Sequence, residues 1–403
     1  MITGYSRKYG LALLIIVALS SCYAVRAYKF RKLNITDHER LPSRPVQAPA
    51  SHYQYKEAYL SATNELSRWL DQSLDSSYTA AFLVIRNDSI LYEKYFAPST
   101  KESLLPSYSV MKTFMGTLTG IAAEEGKIKS LHDPVTDYIP ELLKNDKRFA
   151  NISIQNLLDM RSGIQWNEGS YGLKDDAIKM AFRPNMMKYV KKLKIDSAPD
   201  KDSSYKSINT MLLGIIVTRA TGVPLNKYLQ QKIWQPMGME SNATLNTDKR
   251  HMPIAYAGLN AAARDYAKLG SLFLKKGNWE GKQIISAGWV NASVSKDSMF
   301  AYNGYRNQWW GVDDYKYFSD SMQALEYKTA HGPSTIHSYI ARKDGKKYFS
   351  VAQASSRYYA EGILGQFIYV NPDKNLVIVR LGHYWNSRRY SLEGLLDETQ
   401  RRF

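Results

Sequence analysis

Ser109 and Lys112 carry the first chemical signal in the chain, a hydroxyl and an amine three residues apart where a helical pattern begins. Residues three apart share a helix face, so the Lys112 amine falls within hydrogen-bond reach of the Ser109 hydroxyl. A partly desolvated amine accepts the serine proton, and the activated oxygen can attack a carbonyl carbon, which an unassisted hydroxyl cannot. Val110, Phe114, Leu118 and Ile121 form an apolar stripe, Pro106 and Ser107 suit the entry of the helix, and Gly126 with Lys127 suits its exit. Ser109 then sits at the positive end of the helix dipole. Ser203 with Lys206 and Ser293 with Lys296 share the spacing, but neither opens a long patterned helix. Spacing alone leaves a second reading open, a helix-start serine beside a solvated lysine.

The rest of the chain must supply the surroundings. Its 403 residues are 44% hydrophobic with 14 prolines, ample for a large core in one domain or two interleaved ones. Lys and Arg number 54 against 37 Asp and Glu, a net charge of +17. Such a surface is drawn toward anionic envelope polymers or lipid headgroups, the plainer reading being a basic soluble surface. There is no zinc-finger spacing, glycine-rich phosphate loop or aromatic RNA-binding signature, so no nucleic-acid partner is expected. The seven histidines show no His-x-x-x-His spacing and no nearby paired carboxylates. No metal and no cofactor are expected, and His331 and His337 read as loop and strand residues.

Residues 1–22 read as an export signal: Arg7 and Lys8, an apolar run over 11–19, then Ser20, Ser21 and Cys22. Leu19 to Cys22 resembles the bacterial lipobox, in which the cysteine becomes the lipid-bearing N-terminus. Cys22 is the single cysteine, so no disulfide forms within one chain. The competing reading is an uncleaved anchor, since apolar residues continue to Val25 and approach the lower limit of about 17 residues for a span. Arg26, Lys29, Arg31 and Lys32 on the exported side oppose anchoring and favour cleavage. Either way the expected location is the cell envelope, membrane-anchored on the exported, periplasmic side. Residues 23–52, with Pro42, Pro45 and Pro49, read as an extended tether.

The catalytic body then spans 53–403. A helix is expected within 55–74, and strands over 80–85 and 89–96 form a hairpin across 86–88. A mostly helical middle follows, with helices over 154–160, 185–193, 209–220 and 225–233. Strands return over 336–342 and 347–353 around Asp344-Gly345, and over 365–370 and 376–381 around 371–373, before a closing helix over 392–401. The implied class is α/β (α+β): an antiparallel sheet flanked by helices, built from about 53–130 and 256–403, with a helical part inserted over about 131–255.

Tyr205, followed by Asn209 to Gly214, is the second chemical candidate. Together with Ser109-Val-Met-Lys112, Glu125 to Pro134, Ile154 to Ile164 and Ile233 to Met239, it makes the chain from about residue 79 onward resemble the class C β-lactamase-related serine hydrolases. The resemblance is nearest to the esterase and 6-aminohexanoate-dimer-hydrolase-like branch, and it implies a β-lactamase/transpeptidase-like fold. It also implies Ser109 as nucleophile, Lys112 as its helix partner and Tyr205 as the proton-shuttling tyrosine. The physics agrees, because a phenol beside an ammonium shares its proton and acts as base and then acid.

The family's third element is a strand motif, Lys-Thr-Gly or His-x-Gly, that ends in an oxyanion-binding N–H. Lys328-Thr329-Ala330 is nearer in letters, but Ala360-Glu361-Gly362 has the expected order of glycine, strand, proline-containing turn and strand. The oxyanion donors are then the N–H groups of Ser109 and Ile363, beside Gly362. Ala360 stands where Lys or His would meet a substrate carboxylate, and Ser207 stands where lactamases often place Asn. Both point away from penicillin-like acids, and Arg161 or Arg357 are candidates to replace the missing charge. Trp166, Trp309 and Trp310 match cleft-bordering positions and are equally ordinary as buried aromatics.

The resemblance therefore implies an exported serine hydrolase that cleaves a small-molecule ester or amide through a Ser109 acyl-enzyme. A β-lactamase or D-Ala-D-Ala carboxypeptidase is the alternative enzyme. A catalytically silent envelope-binding protein is the alternative of another class.

Overall fold

Apolar runs decide the central strands of the sheet, and turn residues decide where it reverses. A computed structural model describes residues 34–403 apart from 76, 170–174, 303, 341–344 and 388–389. The 1–22 signal with Cys22, and the Asp344 turn position, lie outside the described residues. In chain order the elements that position the site begin with β1 (Ser43–Val46), α1 (Glu65–Leu74), β2 (Thr79–Arg86), β3 (Ser89–Tyr95) and α2 (Met111–Glu124). The middle contributes α3 (Asp176–Ala181), α4 (Ser207–Thr221), β4 (Ala243–Asn246), β5 (Leu259–Ala261) and α5 (Ala263–Leu274). The last part holds β6 (Trp309–Phe318), α6 (Ser321–His331), β7 (Thr335–Ile340), β8 (Lys347–Gly362), β9 (Gln366–Asn371), β10 (Leu376–Gly382) and α7 (Leu392–Arg402).

A nine-stranded sheet, counted among the described residues, runs β6–β8–β9–β10–β2–β3 with short edge strands, and β7 also pairs with β8. The hairpin between β2 and β3 turns at Asn87 and Asp88, both left-handed (φ 50° and 57°), which matches the twist of the two strands. Both faces of the central strands are covered. Ala81, Leu83, Ile85, Val377 and Val379 face the large core, with α5 against them at Gly270. Phe82, Val84, Leu376 and Ile378 face a second core closed by α1 and α7. This two-sided burial explains why β2, β9 and β10 read as near-continuous apolar runs.

Two sequence expectations change. The tether is built into the fold from residue 34 onward: Ile35 and Val46 are core residues, and β1 pairs with β4 from Ser43 opposite Asn246 to Val46 opposite Ala243. Helix α2 is buried all round and not only along its apolar stripe, every residue from Met111 to Ala122 being enclosed. Its threonines are satisfied by hydroxyl donation from Thr113 to Gln308 O, Thr117 to Thr113 O and Thr119 to Met115 O. Gly116 makes the close packing possible, since a Cβ there would lie 2.4 Å from Asn307 O. His331 and the discarded Lys328-Thr329-Ala330 both lie on the exposed helix α6, whereas His337 is on β7. No single helix among the described residues is long and apolar enough to cross a membrane.

Candidate active site

The second, four-stranded sheet positions Ser109. Leu105–Pro106 pairs with β5, Ser107 N donates to Leu259 O (2.8 Å), and Tyr108 then turns through a left-handed conformation (φ 44°) into α2. Ser109 follows on the short 3-10 turn before α2. Lys112 Nζ donates to Ser109 Oγ at 2.8 Å and to Tyr256 O at 3.3 Å. Its side chain is enclosed, and burial lowers its pKa from the ordinary 10.5 to about 8, with the Glu168 carboxylate pulling in the opposite direction. A lysine so held is neutral in roughly a tenth of molecules at pH 7, against far fewer at the ordinary pKa, and in that form can take a proton from the hydroxyl it touches.

The ring of Tyr205 lies beside the amine, its centroid 4.8 Å from Lys112 Nζ, and stacks on Trp310 at 5.6 Å. Thus Ser109, Lys112 and Tyr205 are brought to one corner. Gly362 ends β8 against the Ser109 turn: a Cβ there would sit 2.6 Å from Ser107 O and 3.0 Å from Ser109 N. Only a glycine lets that strand run so close, and Ile363 next to it lines the same cleft as Ser109. The turn that carries Ile363 is clamped by the buried Arg380, whose Nη1 donates to Leu364 O and Gly365 O at 2.7 and 2.8 Å.

The other expected residues divide. Ser207 lines the cleft, but its N–H and hydroxyl both donate to Glu168, at 2.6 and 2.5 Å. Trp166 stands behind that carboxylate, its Nε1 donating to Glu168 Oε2 at 2.7 Å. Trp309 is fully buried core, and Trp310 frames Tyr205. Ala360 is the correction: it is 1% exposed, packs in the large core opposite Ile368 on β9, and is not among the cleft-lining residues. Arg161 pairs with Asp200, and Arg357 with Asp314 and Asp397, so neither stands in for a carboxylate-binding cation at the cleft.

Sequence reasoning missed Glu168, Tyr256, Arg380 and a cleft wall made by residues 37, 38 and 41. Each acts across a long sequence separation, so no local spacing announces it. The cleft lining is mostly apolar, and its charged members include the carboxylates Asp37 and Glu168. Asn260, buried at its edge, has an Oδ1 without a hydrogen-bond partner. Acceptors of this kind disfavour a substrate carboxylate. Among the described residues no cluster of three or more His, Cys, Asp or Glu is arranged to hold a metal ion.

A Ser–Lys pair at a helix start, an adjoining tyrosine and a glycine-ended strand on an antiparallel sheet define a beta-lactamase-type protein. The beta-lactamase family model matches residues 66–394, and the chain belongs to that family. It is 30% identical over 266 residues to the 6-aminohexanoate-dimer hydrolase of Paenarthrobacter ureafaciens, covering 60% of this chain and 66% of that one. It is 29% identical over 191 residues to a beta-lactamase of Pseudomonas fluorescens, covering 45% and 49%. The chain thus matches about half to two thirds of the length of these relatives. A solved Bacillus anthracis structure, provisionally named a 6-aminohexanoate-dimer hydrolase, superposes with a TM-score of 0.70 at 23% identity over 91% of this chain and 93% of that one. That likeness is one of fold.

Proposed function

We propose that the protein is an exported serine hydrolase that cleaves an ester or amide bond of a small molecule through an acyl-enzyme on Ser109. The observation that carries this is the 2.8 Å contact between Ser109 Oγ and a lysine whose pKa is held to about 8. Neutral Lys112 takes the Ser109 proton as Oγ bonds to the carbonyl carbon. The N–H groups of Ser109 and Ile363 hold the negative oxygen of the tetrahedral intermediate. As the carbon–oxygen or carbon–nitrogen bond breaks, the Lys112–Tyr205 pair returns the proton to the leaving group. Water then repeats the sequence on the acyl-enzyme, and the acid leaves. The family match and the 6-aminohexanoate-dimer hydrolase relative support hydrolysis; the acidic, mostly apolar cleft favours neutral esters or amides over carboxylate-bearing β-lactams.

Intact-mass spectrometry after incubation with 4-nitrophenyl butyrate and with nitrocefin tests the proposal. The expected result is a butyryl adduct on Ser109, absent in Ser109→Ala, with little or no nitrocefin turnover. Ser109→Ala activity within a few-fold of wild type would overturn it. Export and anchoring belong to the same proposal and rest on the lipobox-like residues ending at Cys22. Labelled palmitate should enter the wild-type chain and not Cys22→Ala, whereas a mature chain retaining residues 1–21 would mean an uncleaved anchor.

A further inference from the structure

Residues 34–41 run across the body as a strap beside the nucleophile. Tyr108, the residue before Ser109, donates its hydroxyl to Asn34 O at 2.8 Å. Asn246 Nδ2 donates to His38 O at 3.0 Å, and Thr247 N to Pro42 O at 2.7 Å. Ile35 is 3% exposed within the core, so the strap is seated by packing as well as by hydrogen bonds. From this position Asp37, His38 and Leu41 line the cleft that holds Ser109.

The cleft has a volume of about 110 Å³, and next to it lies a second cavity of about 530 Å³. Leu41 on the strap and Ala181 and Phe182 at the end of α3 line both. These three side chains are therefore a partition between a small apolar pocket at the nucleophile and a larger space behind it. A pocket of this size is smaller than the roughly 150 Å³ of an apolar cavity that accommodates benzene. Its closed end suits an acyl group of about four carbons, and the partition blocks a longer chain from extending in that direction.

We propose that the 34–41 strap is the acyl-specificity element of the site: Leu41, closing on Phe182, restricts the enzyme to short, uncharged acyl groups. The proposal rests on the Ser109 hydrolase reading and deepens it by naming the class of acyl group. Asp37, buried at the strap end of the cleft, presents a carboxyl group rather than a cation to an acyl chain that ends in a carboxylate.

The test is the ratio of kcat/KM for 4-nitrophenyl octanoate to that for the butyrate, measured on the full chain. Wild type should prefer butyrate by at least about tenfold, the loss expected when several methylenes stay outside the pocket. Leu41→Ala and Phe182→Ala each join the two cavities and should raise the octanoate-to-butyrate ratio at least fivefold. Leu41→Trp fills the pocket and should move preference the other way, toward acetate. The opposed directions separate selectivity from damage, and thermal melting identifies any variant that fails to fold. An unchanged chain-length profile in the folded variants, with esters still hydrolysed, overturns the strap proposal alone. No ester turnover and no Ser109 adduct in wild type would instead overturn the hydrolase reading on which it rests.

Discussion

Among the described residues two lysines are fully enclosed, and they are enclosed in opposite ways. Lys268 on α5 donates to Tyr53 O and Gly238 O at 2.9 and 2.8 Å, with Asp265 at 3.4 Å and Glu240 at 3.6 Å as counter-ions. Burial lowers its pKa, and the two carboxylates offset part of that. Lys112 on α2 touches a hydroxyl and a carbonyl, with no carboxylate in ion-pair contact among the described residues. Its pKa falls from 10.5 to about 8, so carrying the charge there costs roughly 3 kcal/mol at pH 7. One corner uses a buried amine to tie a loop to a helix, and the other holds an amine with no ion-pair contact among the described residues, where the proposed mechanism needs its neutral form. Enclosure alone therefore does not single out a lysine; enclosure without an ion-pair partner, against a serine, is what the proposed base requires.

Methionine in place of each lysine separates the two corners. Lys268→Met leaves Asp265 and Glu240 without their cation in the core and should lower the unfolding free energy by about 3–5 kcal/mol, read from urea unfolding. The molecules that remain folded should keep their ester turnover. Lys112→Met should do the reverse: turnover falls by about a hundredfold or more, as for a lost general base, while stability is unchanged or higher because a costly charge is gone. A Lys112→Met protein as destabilised as Lys268→Met would erase the distinction.

What the sequence made legible follows the same division between local and distant causes. The β2–β3 and β9–β10 hairpins announce themselves by apolar runs around turn residues, and the Ser109–Lys112 spacing is a local signal read from four consecutive residues. The strap and β1 were hidden by Pro42, Pro45 and Pro49, which suggest a solvated tether. Pro45 in fact sits opposite Thr244 on an edge strand, a position that tolerates a missing N–H. Glu168 and Tyr256 reach Lys112 from 56 and 144 residues away in sequence, and no periodicity encodes such a meeting. Ala360 misled for a related reason: the motif gives its place on β8, but only packing shows that this place faces the core.

The wild-type pH profile sharpens the comparison further. In the proposed mechanism Lys112 takes a proton only when neutral, so kcat/KM for a neutral ester should rise with pH through about 8 and then level. Stability carries a matching trend. With the folded pKa below the ordinary 10.5, the unfolded chain binds the extra proton between about pH 8 and 10.5, so the Lys112 contribution to stability improves as pH rises through that window. This rise is absent in Lys112→Met. An acidic limb well below pH 7 would show that a different group controls the reaction.

The smallest effect is expected at Glu168, the carboxylate that acts on Lys112 from across the cleft. Its charge raises the Lys112 pKa against the larger lowering by burial, so Glu168→Gln should move the acidic limb of the pH profile to lower pH. The shift should change turnover at pH 7 by less than about tenfold, because Glu168 is partly exposed and acts through space. The same substitution removes an acceptor shared by Trp166 Nε1, Ser207 N and the Ser207 hydroxyl, so the high-pH plateau should fall modestly as that loop loosens. Limb and plateau thus report different roles of one side chain, electrostatic in the first and positional in the second. A plateau loss with an unmoved limb would leave Glu168 a brace for the Ser207 end of α4 and remove it from the electrostatics of the Lys112 corner.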